Sequence, residues 1–284
     1  MKILILGATG MIGSTMLRVI SENVDWEVVG STRAKQEKEK SPKLLTQQLI
    51  TGVDLSNVDH LTGLFVETKP EVVINCAGLT KHLLSRSELI PAITLNALLP
   101  HRLMAMCRFS GARFIHVSTD CVFSGASSMY RESDHPDATD MYGKTKHLGE
   151  VDGPNVVTLR TSTIGHEIGT RYGLLEWFLA QQECRGYRRA IFSGLPTVEF
   201  ARVVRDLVIP DRTLTGLYHV GASPIDKDSL LRLVAMEYGK TVEIIPDDEV
   251  CINRSLNVEK FKEATGYCSL GWPTLISEMN KNRY

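Results

Sequence analysis

The 284-residue sequence has no C-x-x-C pair; its six cysteines, Cys76, Cys107, Cys121, Cys184, Cys251 and Cys268, stand far apart. That scatter signals neither a zinc site nor a disulfide framework, and most of them read as small buried hydrophobes. An excess of one charge is also missing. Lys plus Arg number 32 against 33 Asp plus Glu, for a formal net charge of -1, so no basic field gathers phosphate backbones and nucleic acid is not an expected partner. The opening MKILILGATG is too short an apolar run for a signal peptide, and no later run approaches bilayer-crossing length. The expectation is a cytoplasmic protein without a membrane partner. Internal repeats and low-complexity tracts are absent, which removes a solenoid. No metal-ligand cluster stands out, so no metal is expected.

What is present is a regular alternation. The apolar runs KILIL, WEVVGS, EVVINC, RFIHVS and VVTLR are separated by amphipathic stretches near residues 11–22, 57–66, 96–109 and 141–150. Continuous apolar strands between helices predict a parallel sheet covered on both faces, an α/β fold of the Rossmann-type doubly wound class. The regularity fades after VVTLRTS. The expected division is a dinucleotide-binding domain over 1–162 and a smaller, mainly substrate-binding lobe over 163–284, some of whose segments return to the first domain. Residues 34–48, AKQEKEKSPKLLTQQ, read as a charged solvated excursion.

ILGATGMIGSTMLRVI sets Gly7, Gly10 and Gly13 after a strand and at the mouth of a helix. Bare backbone there lets a pyrophosphate approach the positive end of the helix, although G-x-x-G-x-x-G departs from the G-x-G-x-x-G form and a glycine turn can also serve packing alone. The second strand ends in Ser31, Thr32 and Arg33 with no Asp or Glu to grip a ribose hydroxyl. Arg33 suits a 2′-phosphate, hence NADP with NADPH favoured over NADH; an exposed loop arginine is the alternative.

In MYGKTK, Tyr142 and Lys146 are spaced i and i+4, on one helix face. An ammonium there is expected to lower the Tyr142 pKa and make it a usable acid; a solvated surface pair is the alternative. RFIHVSTDCVFSG ends a buried strand with Ser118, Thr119 and Asp120, at the sheet edge where α/β proteins bind ligands.

Taken with GATGMIG, NCAG (75–78), STDCVFSG, YGKTKHLGE, LRTS and, more weakly, FSGLPT and NRSLN, the pattern resembles the extended short-chain dehydrogenase/reductases, most closely their dTDP-4-dehydrorhamnose reductase branch. The resemblance implies Thr119, Tyr142 and Lys146 as a catalytic triad. It implies cofactor contacts at Gly7, Thr9, Gly10, Met11, Ile12, Gly13, Arg33, Asp54, Leu55, Cys76, Ala77, Gly78, Tyr142 and Lys146. Lys81, Ser118, Thr119, Trp177 and Arg254 are the implied substrate contacts, Arg254 at a position used for a nucleotide diphosphate and Trp177 as a stacking surface. FSGLPT is expected to line the sugar pocket, and Asn96 stands where relatives keep a relay asparagine, a helix cap or core contact being equally open.

Cys121 departs from the branch, which usually has an aromatic residue there. It resembles GDP-fucose synthase and related epimerase-reductases, in which a cysteine exchanges the proton beside the ketone; a low-pKa Cys121 thiolate would serve, with His166, Lys81 or His82 as the opposite acid. A packing role is the alternative. The implied function is NADPH-dependent reduction of a nucleotide-linked 4-keto-6-deoxysugar, with a nucleotide-diphosphate sugar as partner and room for a homodimer. Two alternatives stand beside it: a bifunctional 3-epimerase/4-reductase using Cys121, and a non-catalytic NADP-binding regulatory subunit, since the methionine adenosyltransferase regulatory β subunit shares the scaffold.

Overall fold

The computed structural model describes residues 1–33, 47–80 and 88–283. Strand β1 (Lys2–Leu6) sends alternate side chains to opposite faces: Ile3 and Ile5 join one hydrophobic cluster, Leu4 and Leu6 another. A strand buried on both faces must be covered by helices on both. Helix α1 (Met11–Ile20) supplies Met16, Leu17 and Ile20 to the first cluster; α2 (Val58–Thr68) supplies Leu61 and Leu64, and α3 (Leu89–Ser110) supplies Leu99, Leu103 and Cys107, to the second.

The other strands of the main sheet are β2 (Glu27–Thr32), β3 (Leu49–Thr51), β4 (Val72–Asn75), β5 (Arg113–Thr119), β6 (Val156–Thr161) and β11 (Gly216–His219). Their order is β11-β6-β5-β4-β1-β2-β3, with every pairing parallel. The chain direction of travel across the sheet reverses at β1, so a crevice opens between the carboxyl ends of β1 and β4, where doubly wound sheets bind ligands. This is the Rossmann-type α/β architecture expected.

GLYHVG, within the stretch 163–284, forms β11 and extends the main sheet beyond β6, a segment that returns to the first domain. The very short β3 carried no periodicity to read. GHEIGTRYGLLEWFLAQ is helical only over α5 (Leu174–Leu179). Helix α6 (Thr197–Val203) runs on through a π turn, Val204–Val208, and packs on α1, where Thr15 Oγ1 donates to Thr197 Oγ1 at 3.2 Å. Outside the main sheet stand the pair β7 (Thr163–Ile164) with β10 (Leu195–Pro196), the pair β8 (Glu183–Tyr187) with β13 (Glu243–Asp247), and a three-stranded sheet of β12 (Ile225–Asp226), β9 (Ala190–Phe192) and β14 (Ile252–Asn253). Helices α7 (Lys227–Glu237), α8 (Glu259–Thr265) and α9 (Trp272–Lys281) complete the fold.

Three further expectations change. FSGLPT lies wholly buried, with Leu195 N bonded to Ser162 O at 2.9 Å, so it is a core junction and not a pocket lining. Helix α3, 22 residues with an 18-residue window of mean hydropathy 1.2, is long and apolar enough to cross a bilayer, contrary to the reading of run lengths; its buried face belongs to the cluster under the sheet. Of the cysteines, only Cys107 and Cys184 are buried; Cys76 and Cys121 are half-buried, and Cys251 and Cys268 exposed. The excursion 34–48 falls almost entirely outside the described residues.

Candidate active site

The three glycines at the crevice do three different things. Gly7 adopts φ +74°, and a Cβ on it would meet Ala77 Cα at 2.8 Å, so β1 and β4 approach closely only because it is bare. A Cβ on Gly13 would sit 2.1 Å from Gly7 O, so this glycine lets α1 pack onto the turn. Gly10 is exposed; its Cβ would meet only Gly7 O, at 3.4 Å. Protein packing therefore requires Gly7 and Gly13, and the open side at Gly10 lies over the amino end of α1. That end has no side-chain cap and no acidic residue in its first turn, which leaves amide donors and the helix dipole for an anion. The residues present fit a dinucleotide pyrophosphate. Thr9, Met11 and Ile12 border this turn, and Cys76, Ala77 and Gly78 form the facing wall.

At the end of β2, Thr9 and Thr32 hydroxyls lie 3.3 Å apart, and Gly30 leaves room for Ala8, whose Cβ would be 2.4 Å from an added methyl. Arg33 is exposed at the strand's end, and its charge reaches Asp54. The Asp54 carboxylate accepts from Ser56 Oγ (2.7 Å) and Ser56 N (2.9 Å); these bonds hold its pKa below the usual value. Leu55 beside it packs against the lower core.

Strand β5 delivers Thr119 to a 3-10 turn, Asp120–Val122, and the Thr119 hydroxyl caps it by accepting from Cys121 N at 3.1 Å. Helix α4 (Met141–Leu148), capped by Asp140 Oδ1 on Gly143 N at 2.8 Å, presses against this turn. A Cβ at Gly143 would stand 2.2 Å from Cys121 O, so the glycine after Tyr142 sets how near the phenol comes to Thr119. The sequence reading passed over Gly143, although a glycine inside a helical pattern is a packing signal. The Thr119 hydroxyl lies near the Tyr142 phenol, close enough to favour its phenolate form. Lys146, one turn on and 4% exposed, donates from Nζ to Val117 O at 2.8 Å. Hydroxyl, phenol and amine thus gather at the carboxyl edge of β5, beside the crevice.

The electrostatics differ from expectation. Burial pushes the Tyr142 pKa above its usual value, reinforced by Cys121 and only partly offset by the Thr119 hydroxyl. Burial also lowers Lys146 to about 8, against the opposing pull of Glu150 and Cys76. The expected lowering of Tyr142 by Lys146 is therefore overturned in the protein alone: desolvation disfavours both charged forms, and the pair rests as a neutral phenol beside a readily deprotonated amine. Cys121 is corrected in the same direction. Burial, then the Asp120 charge, raises its thiol to about 12 in the protein alone, against the pull of Arg254.

Other assignments part company with the site. Ser118 points to the opposite face from Thr119 and donates to Glu150 Oε1 at 2.8 Å, so it is a support and not a substrate contact. Glu150 also receives Arg160 Nε at 2.7 Å and NH2 at 2.8 Å. Asn96, on the π turn Ile93–Leu98 of α3, accepts from Leu79 N (2.8 Å) and donates to Leu79 O (3.0 Å) and Thr145 Oγ1 (3.2 Å), a clamp between the β4 loop and α4. His166 has Nδ1 on Glu176 Oε1 at 2.8 Å and Nε2 on the Tyr238 hydroxyl at 2.9 Å, so neither nitrogen faces a substrate as the opposite acid. Trp177 is 40% exposed on α5 and is no core anchor. Arg254 lies beside Cys121. Lys81 and His82 lie outside the described residues. Among the described residues no group of three or more His, Cys, Asp or Glu is placed to hold a metal.

A Rossmann sheet with a glycine turn at its crevice and Thr, Tyr and Lys at the end of the fifth strand defines a short-chain dehydrogenase/reductase-like protein. The chain belongs to the family described as RmlD substrate binding domain, whose model matches residues 1–226. It is 28% identical over 231 residues to the spore coat polysaccharide biosynthesis protein SpsK of Bacillus subtilis (strain 168), covering 79% of this chain and 74% of that protein. It is 32% identical over 151 residues to methionine adenosyltransferase 2 subunit beta of Xenopus tropicalis, covering 52% of this chain and only 41% of that protein. Among solved structures it resembles dTDP-4-dehydrorhamnose reductase from Bacillus anthracis str. Ames in complex with NADP: TM-score 0.79, 17% identity, 99% of each chain covered. That likeness concerns the fold.

Proposed function

We propose that this protein is an NADPH-dependent reductase of a nucleotide-linked 4-keto-6-deoxysugar, working in nucleotide-sugar biosynthesis. The observation that carries the reading is the meeting of Thr119, Tyr142 and Lys146 beside a glycine turn whose packing leaves Gly10 open. Gly7, Gly10, Gly13 and the amino end of α1 would hold the pyrophosphate, Arg33 the 2′-phosphate, and Lys146 the nicotinamide ribose. The cofactor supplies the hydride when bound.

Tyr142 then protonates the oxygen of the reduced carbonyl. A phenol held neutral by burial keeps its proton at physiological pH and yields it only to a strong base such as a nascent alkoxide. The Thr119 hydroxyl, which donates to Asp120 Oδ1 at 3.2 Å, turns its hydrogen toward the substrate oxygen and orients it. Lys146, fixed by Val117 O and an ammonium below about pH 8, stabilises the phenolate as the proton leaves. Incubation with dTDP- and UDP-4-keto-6-deoxysugars, following NADPH oxidation and identifying the product by NMR, tests the reading; no oxidation across the panel counts against it.

Two measurements refine it. Arg33→Ala is expected to cut the preference for NADPH over NADH by about ten- to a hundredfold, the worth of a charge-assisted bond of about 1.5–3 kcal/mol. Unchanged discrimination would remove Arg33 from the cofactor site. Lys146, lowered to about 8 by burial, loses its charge as pH rises through that value, so kcat/KM for NADPH is expected to fall there. A profile flat through pH 8 would mean that the ammonium is not needed for capture.

A second reading, a non-catalytic NADP-binding regulatory subunit, draws support from the similarity to methionine adenosyltransferase 2 subunit beta. A stable complex with a catalytic partner and no ketosugar turnover would favour it. The epimerase-reductase alternative would need a bound cofactor to lower the Cys121 thiol from about 12; solvent deuterium appearing next to the ketone, and lost in Cys121→Ser, would favour it.

A further inference from the structure

We infer that Arg254 is a positioning residue for the catalytic turn: it fastens the second lobe to Asp120–Val122 and serves as counter-charge to Asp120, and does not act as a fork for a nucleotide diphosphate. Arg254 follows β14, far from the turn in sequence, yet its Nε donates to Phe123 O at 2.7 Å and its NH1 reaches Cys121 Sγ at 3.7 Å. One donor thus holds the residue that ends the turn and another the side chain inside it. These contacts engage two of the five guanidinium N–H donors and turn that edge of the side chain toward Asp120–Val122.

The approach is built into the surrounding backbone. Gly125 adopts φ +85°, and a Cβ there would meet Ile252 Cγ1 at 2.5 Å and Arg254 Cγ at 3.2 Å, so the arginine stem lies flat against the loop only because that position is bare. Around it, Asn253 N bonds Gly125 O at 3.0 Å, Tyr130 N bonds Ser255 O at 2.9 Å and Asn257 N bonds Tyr130 O at 2.7 Å. These rungs stitch segment 252–257 to segment 125–130 and fix the arginine over the turn.

Asp120 is 7% exposed, an acid that burial penalises in its charged form. The positive groups acting on it are Arg254 and, from α7, Lys227; Cys121 and Thr119 give it hydrogen bonds. Asp120 and Cys121 both act in turn on the Tyr142 phenol. Displacing Arg254 therefore frees the turn that carries Thr119 and leaves a buried carboxylate with less opposing charge, beside the proton donor.

The experiment is a double-mutant cycle on the full chain, read by urea unfolding, with steady-state kinetics alongside. The variants are Arg254→Met, Asp120→Asn and both together. Arg254→Met is expected to unfold at lower urea, and the loss should shrink markedly in the Asp120→Asn background because no buried charge is left to balance. Additive losses would overturn the counter-charge role. Arg254→Lys, which keeps charge but not the fork, carries the same cycle if Arg254→Met does not fold. The kinetic arm rests on the reductase reading: kcat should fall roughly a hundredfold, as for a misplaced catalytic group, with KM for the sugar nucleotide little changed. A raised KM at unchanged kcat would instead make Arg254 a ligand of the diphosphate. Because unfolding needs no substrate, failure of the ketosugar assignment would show in the kinetic arm alone.

Discussion

Tyr142→Phe is expected to lower ketosugar reduction by about 10²- to 10⁴-fold, the usual contribution of a positioned general acid. The ring occupies the same space in both residues, so α4 keeps its seat against the turn at Cys121 and the glycine crevice is untouched. Only the hydroxyl is lost, and with it the proton aimed at the alkoxide. NADPH affinity, measured by fluorescence titration, is expected to stay near the parent value while kcat collapses. Near-normal reduction by the variant would assign the proton to another group and dissolve the proposed mechanism.

Glu150→Ala is expected to cost about 3–5 kcal/mol of stability, because it strips the carboxylate from a buried pair and leaves the Arg160 guanidinium uncompensated. The two side chains are 10% and 3% exposed. Burial pushes the Glu150 carboxyl up, but Arg160, His147 and Ser118 together outweigh it and hold the pKa below the ordinary carboxylate value. A depressed folded pKa contributes stability above the unfolded value near 4.3, and that contribution is lost as pH falls through the lower folded value. The parent should therefore lose this increment only in acid, and Glu150→Ala should show a flatter stability profile there. Urea unfolding at neutral and acid pH checks both statements; a parent-like midpoint at neutral pH would mean that water replaces the pair at little cost.

Much of the fold was legible because it is written in local patterns. Five apolar runs with helices between them require a parallel sheet covered twice, and the glycine turn after KILIL belongs to a strand-to-helix junction whatever lies around it. Tyr142 and Lys146 share a face by helical spacing alone. Ser118 and Thr119 show the limit: a strand's period of two says that neighbours point apart, but not which of them meets the ligand. The Glu150–Arg160 pair beneath Ser118 decides that. The short β3 offered no pattern to read, and β11 became part of the main sheet through pairing with β6.

The sequence by itself determined the fold class, the crevice at the end of β1 and the cast of hydroxyl, phenol and amine, since each follows from residues close together in the chain. Tertiary structure alone decided their protonation and their support. Burial, which depends on every element packed around a group, raised Tyr142 and Cys121 and lowered Lys146. Arg254 came to Cys121 across more than a hundred residues, a contact that no local spacing encodes because it is made by the packing together of segments distant in the chain.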